Sequence, residues 1–216
     1  MTTSKLTITF ASLAAGLLIV MLAVSITHSV TQQYFESVLP VAQYTANLIQ
    51  YDGALRIIIG LDNLFILSYF LATYFFSLLL AKENERHQLL KLFAFLVGAI
   101  ALLDYQENLH ILAMLKASLQ SIQLTSGQIE LQYVLSAVKW HLAYVAFFIL
   151  GLSLRAQSPM EKLFVFSLLF LQMPIGILVY TIGDHEWERV FMVFRYACLL
   201  AGFVFIAIIT ARRQQR

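Results

Sequence analysis

Charge is what this sequence has least of. Of its 216 residues only 12% are Asp, Glu, Lys or Arg, against about 25% in an ordinary soluble domain. Sixty per cent are hydrophobic and the mean hydropathy is +0.79. A soluble fold of this size cannot hide so much apolar surface, so a water-soluble enzyme or binding domain is excluded and the excess is expected to face lipid. Cysteine is nearly absent: the lone Cys198 excludes an intrachain disulfide and a Cys-based metal site, and within its apolar run it reads as a small buried hydrophobe. There is no Cys-x-x-Cys-His haem motif, no Gly-rich phosphate loop and no nucleotide or flavin motif. The net charge is only +2, and the basic residues fall in short clusters at segment ends, which excludes nucleic acid as a partner.

What is present is a series of long oily runs. About 20 mostly apolar residues cross a bilayer as a helix, and six stretches meet that length: 6–28, 54–81, 89–116, 131–154, 162–182 and 190–211. None alternates with period two, so all six are predicted helices. The expected fold is all-α, a polytopic transmembrane bundle forming a single domain over 1–216, with no fixed-period repeat. Lys5 precedes the first run, but the run exceeds a signal-peptide core and reads as a retained helix.

Lysine and arginine placement sets the expected orientation. Lys5, then Lys82, Arg86 and Lys91, then Arg155 and Lys162, then the ARRQQR tail mark one side. On the other, 29–53 and 117–130 carry neither residue, and 183–189 sets Arg189 against Asp184, Glu186 and Glu188. Both termini are therefore expected on the cytoplasmic side. In the 29–53 connection, Tyr34, Phe35, Val38, Leu39, Val41 and Tyr44 give an apolar face for an interfacial helix interrupted near Pro40. Such a segment covers the bundle mouth or acts as a lid.

Against this background the run LLDYQENLHIL at 102–112 is anomalous. At 1.5 Å per residue, the expected topology puts Asp62 and Asn63 of the second span, Asp104, Glu107, Asn108 and His110 of the third, Lys139 and His141 of the fourth and Arg195 of the sixth in the outer half. Asp104, Glu107 and Asn108 share about 100° of helical arc, and Asp62, Ile66, Tyr69 and Thr73 form a stripe. Gln172, Gly176 and Tyr180 form another, leading outward to Asp184, with Pro174 as a kink. Lys139 and His141 lie about 160° apart and cannot share one centre. Charges inside a membrane cost about 2.5–3.5 kcal/mol each on insertion scales, so these groups are expected to face inward, pair, or line a wet cavity.

The expected site is therefore an outward-facing polar pocket of Asp62, Asn63, Tyr69, Asp104, Glu107, Asn108, Lys139 and Arg195, binding or transporting a small polar molecule or lipid headgroup. Three acids, Asp62, Asp104 and Glu107, would balance three bases, Arg56, Lys139 and Arg195, which a purely structural ion-pair network would also produce. A sharper option is zinc or iron on Asp104, Glu107, His110 and His141, although Glu-x-x-His at 107–110 is the nearest approach to a ligand motif. Ser136 one turn from Lys139 offers a weak nucleophile and base pair. The alternative function is an intramembrane enzyme, lipid-modifying or hydrolytic and metal-assisted. The expected partners are membrane lipids and a small polar ligand, with a homo-oligomer left open.

GLDNLFILSY in the second span, DYQEN in the third and VKW in the fourth resemble uncharacterised bacterial multi-pass membrane proteins that carry a D-x-x-E-N motif. The resemblance implies a bacterial inner membrane and no known activity. It makes Asp62, Tyr69, Asp104, Glu107, Asn108 and Lys139 the residues to test first.

Overall fold

In lipid no water competes for backbone groups, so an oily run must satisfy its own N–H and C=O groups, which a helix does within one segment. The computed structural model describes residues 2–83, 87–181 and 185–215, and among them it is helical with no strand. The helices are α1 (Thr3–His28), α2 (Val41–Gln50), α3 (Asp52–Glu83), α4 (His87–Leu119), α5 (Ser126–Ser153), α6 (Pro159–Phe166), α7 (Gln172–Thr181) and α8 (His185–Gln214). A 3₁₀ turn at Gln32–Glu36 precedes α2, and a π segment at Ser167–Leu171 joins α6 to α7. Six stretches are long and apolar enough to cross a membrane: Thr3–His28, Asp52–Lys82, His87–Leu119, Ser126–Ser153, Pro159–Val179 and Val190–Gln214. Arg86 and Asp184, and the side chains of Tyr180, His185, Glu186, Glu188 and Arg189, lie outside the described residues.

The ends of the helices follow local chemistry. α1 closes with Ser29 in the left-handed region (φ 53°) while the Val30 N–H bonds the Ser25 carbonyl, and Ser121 (φ 58°) ends α4 the same way. α6 starts three residues before the oily run begins. Ser158 caps it, Glu161 reaches back to the Ser158 N–H, and Pro159 stands where no N–H is needed. Pro174 does more than kink its span. Its ring would crowd the Phe170 carbonyl one turn back, and Phe170 lies inside the π segment, which widens the turn there.

The chain divides into two compact units. One comprises Met1–Ala15, Ser68–Ile100 and Trp140–Arg216. Within it Phe10 stacks on Phe75 and Phe164 meets Phe205. The Arg213 guanidinium donates to Glu161 Oε1 at 2.9 Å and to the Arg155 carbonyl at 3.2 Å, tying the end of α8 to the start of α6. The polar stripe read from Gln172 to Tyr180 is interrupted, because the Tyr144 ring lies directly over Gly176 and a Cβ there would fall on the ring. Gly176→Ala is therefore expected to cost about 1–3 kcal/mol, the usual scale of overpacking. A lower thermal midpoint in Gly176→Ala, mostly restored by adding Tyr144→Leu, would be the sign; an unchanged midpoint would remove the close approach.

The second unit comprises Gly16–Leu67 and Ala101–Lys139. Its apolar core joins Leu55, Ile58 and Ile59 of α3, Ile111, Met114 and Leu115 of α4, Ile129 of α5, and Phe35, Tyr44 and Leu48 of the connection. The connection is interrupted where the sequence suggests: Ser37 is extended, Pro40 lies outside the helical region (φ −53°, ψ 134°), and α2 starts after the proline. Its apolar face is divided, with Phe35 and Tyr44 fully buried but Tyr34 and Val38 exposed.

Candidate functional site

The faces of α3, α4 and α5 that build this core continue as polar residues. On α4 the buried series Ile111 and Leu115 extends back through Asn108, Glu107 and Asp104, while Leu102, Tyr105 and Leu109 on the opposite side stay exposed. On α5 the series runs Ile129, Gln132, Ser136 and Lys139, and on α3 Ile58 and Ile59 lead to Asp62. These polar groups stand at similar height. Asp62 lies about 15 Å along α3, Lys139 about 20 Å along α5, and Glu107 about 18 Å before the end of α4.

Lys139 is the centre of the arrangement. Its Nζ lies 2.9 Å from Asp104 Oδ1, 2.5 Å from Glu107 Oε2 and 3.9 Å from Glu36 Oε1. Ser136, one turn earlier, donates to Glu36 Oε2 at 2.6 Å. Asn108 links the remaining acid: its Nδ2 donates to Asp62 Oδ2 and to Asn63 Oδ1, both at 2.8 Å. Its Oδ1 accepts from Gln32 Nε2 at 2.6 Å. Asn108 thus uses its amide hydrogens and its carbonyl oxygen, as a fully buried amide must. Two residues further along α4, His110 Nδ1 meets Gln132 Oε1 at 2.9 Å.

Five of the eight residues singled out for a pocket, Asp62, Asp104, Glu107, Asn108 and Lys139, are buried in this network, and Asn63 is bonded at its edge. Tyr69 and Arg195 belong to the other unit. There the Tyr69 carbonyl accepts from Thr73 Oγ1, and the buried Arg195 guanidinium stands 3.8 Å from the centre of the Trp140 ring. Arg56 pairs with Asp52 one turn away, and both are substantially exposed (52% and 36%), so this base takes no part in a buried balance. The structure adds to that sum an acid it did not contain, Glu36. Four carboxyls, those of Glu36, Asp62, Asp104 and Glu107, gather in one unit, where three of them converge on a single ammonium.

The metal ligands suggested by residue type are not assembled. His141 is in the other unit, edge-on to Tyr144, and His110 Nδ1 is taken by Gln132. Among the described residues no three of His, Cys, Asp and Glu are arranged to hold a metal ion. The Ser136 hydroxyl is directed to Glu36 Oε2.

Glu36, Gln32 and Tyr44 are the site residues that sequence reasoning missed. The available signal was an acid beside Phe35 in a stretch that lacks any lysine or arginine. The connection is locked down by neutral bonds: Tyr44 Oη donates to the Phe35 carbonyl at 2.9 Å, and Asn47 Nδ2 to Tyr34 Oη at 2.6 Å. Burial first, then the carboxylates of Glu107 and Glu36, push the Tyr44 phenol well above its usual value. It therefore stays a neutral donor throughout the physiological range. No protein family, curated protein or solved structure matches the chain.

Proposed function

We propose that this protein is a multi-pass integral membrane protein that binds a small polar molecule at the Lys139 cluster, within the membrane. The observation that carries the reading is the convergence of Asp104, Glu107 and Glu36 on one buried ammonium. Polar contacts between membrane helices return only about 0.6 kcal/mol each on average, far less than buried charge costs. Adhesion between helices is a poor reason to keep four acids there, whereas intramembrane ionisable groups characteristically mark ligand or proton sites. The distribution of Lys82, Lys91, Arg155, Lys162, Arg212 and Arg213 supports a reading with cytoplasmic N and C termini and the cluster in the outer half of the membrane, which the resemblance would make a bacterial inner membrane. The residues that carry binding are Asp62, Asn63, Asp104, Glu107, Asn108 and Lys139, joined by Glu36.

The test is ligand-induced stabilisation of protein in lipid nanodiscs, probed with glycine, methylammonium, phosphocholine and phosphoethanolamine. A true ligand at 100 times its Kd raises stability by about 2.7 kcal/mol, and Asp104→Asn is expected to weaken that response. If none of the probes moves the thermal midpoint, the binding reading fails.

A further inference from the structure

A buried hydroxyl near the end of α8 borders empty space. Thr210 is only 2% exposed. A threonine inside a helix ordinarily turns its hydroxyl onto a carbonyl one turn back, as Thr7, Thr73 and Thr181 do here. The Thr210 hydroxyl makes no such bond and meets no other partner among the described residues. A buried hydroxyl left in that condition is destabilising unless something else answers it. Thr210 lines a cavity of about 50 Å³. One water needs about 10–15 Å³ of such space, so the cavity has room for a group of several heavy atoms.

The other walls, all from the same unit, indicate which group fits. Phe76 and Leu80 of α3 close one side with apolar surface, and the exposed Gln214 stands at the rim. Ser4 brings the start of α1 to the cavity. Thr2 caps that helix: its Oγ1 takes the Lys5 N–H at 3.4 Å and its carbonyl takes the Leu6 N–H. The N–H groups of Thr3 and Ser4 come before any carbonyl that the helix can offer them. Such donors, at the positive end of a 26-residue helix, favour an anion. Arg213 also lines the cavity, but it donates to Glu161 Oε1 and to the Arg155 carbonyl, so it fixes the wall and its charge is matched. Lys5, Lys82 and Arg212 are exposed within two residues of the walls, and basic residues at a membrane surface draw anionic groups toward it.

We propose that this cavity binds a phosphate group of net negative charge, carried by an anionic lipid headgroup or by free phosphate. Phosphate offers several strong acceptor oxygens, so a single group answers the Thr210 hydroxyl of α8 and the first N–H groups of α1 together. The site uses none of the residues around Lys139 and stands whether or not that cluster binds a ligand.

The test compares thermal midpoints of the full chain, wild type and variants, in phosphatidylcholine nanodiscs. Phosphatidate is added in one arm and the same mole fraction of oleate, an anion without phosphate, in another. A third arm sets sodium phosphate against sodium chloride of equal ionic strength. The expected result is a rise with at least one phosphate source that neither oleate nor chloride produces. Thr210→Val, which keeps the shape and removes the hydroxyl, should need about tenfold more of that source for half the rise, the scale of one hydrogen bond to a charged group. Thr210→Ser should keep the wild-type response. A rise with phosphatidate alone supports the site and assigns it to a lipid headgroup; a rise in phosphate solution alone supports it and assigns it to the free ion. An equal rise with oleate would overturn the phosphate class. Identical responses from wild type and Thr210→Val, or no response to either phosphate source, would overturn the site and leave a cavity that holds only water.

Discussion

Lys139→Met is expected to lower stability by about 3–5 kcal/mol, the cost of removing one partner from a buried ion pair and leaving the other uncompensated. Here the abandoned groups are Asp104 and Glu107, both buried, with Glu36 close by. The lost volume is small, because methionine fills most of the space of the lysine stem. The loss is therefore electrostatic, and removing charge on the other side should recover it. Lys139→Met with Glu107→Gln should melt well above Lys139→Met alone, giving a coupling of more than 1 kcal/mol in a double-mutant cycle. Midpoints measured in nanodiscs by intrinsic fluorescence provide the comparison. If the single change is neutral, or the two changes simply add, Lys139 and Glu107 are not holding one another.

Phe35→Ala is expected to be comparably severe, about 3–5 kcal/mol, for a reason that involves no charge at all. Phe35 is fully buried, its ring meets Tyr44 edge-on at 5.6 Å between centroids, and its carbonyl receives the Tyr44 hydroxyl. Leu48, Leu55, Met114 and Leu115 belong to the same core. The adjacent residue is Glu36, so loosening Phe35 also loosens the only acid that the connection delivers to Lys139. The variant should therefore show faster proteolysis between residues 29 and 50 as well as a lower midpoint. A protected connection after Phe35→Ala would mean that the ion pair of Glu36, not the aromatic anchor, keeps it in place.

These two residues mark the limit of what periodicity can reveal. Asp104, Glu107 and Asn108 were legible as one wall because a helix repeats every 3.6 residues, so spacings of three and four turn into shared direction with no knowledge of the fold. Asp62 and Lys139 followed from equal depth, since α3, α4 and α5 are long helices with a fixed rise. Depth misled for Arg56. Height along a helix does not say which neighbour a side chain meets, and Arg56 meets Asp52 on its own helix. Glu36 was out of reach. A short turn has no period to extrapolate, and its hydroxyl partner, Ser136, is 100 residues away.

By itself the sequence determined the solvent this protein answers to, the number of long apolar helices, and the face of α4 that carries its acids. All three depend on composition and on local repeat, which the chain holds residue by residue. Tertiary structure alone decided which acid of the connection joins Lys139. Through a 3₁₀ turn it brought in a fourth carboxyl that no helical wheel contains. Long-range packing chooses partners, and no local repeat in the chain records them.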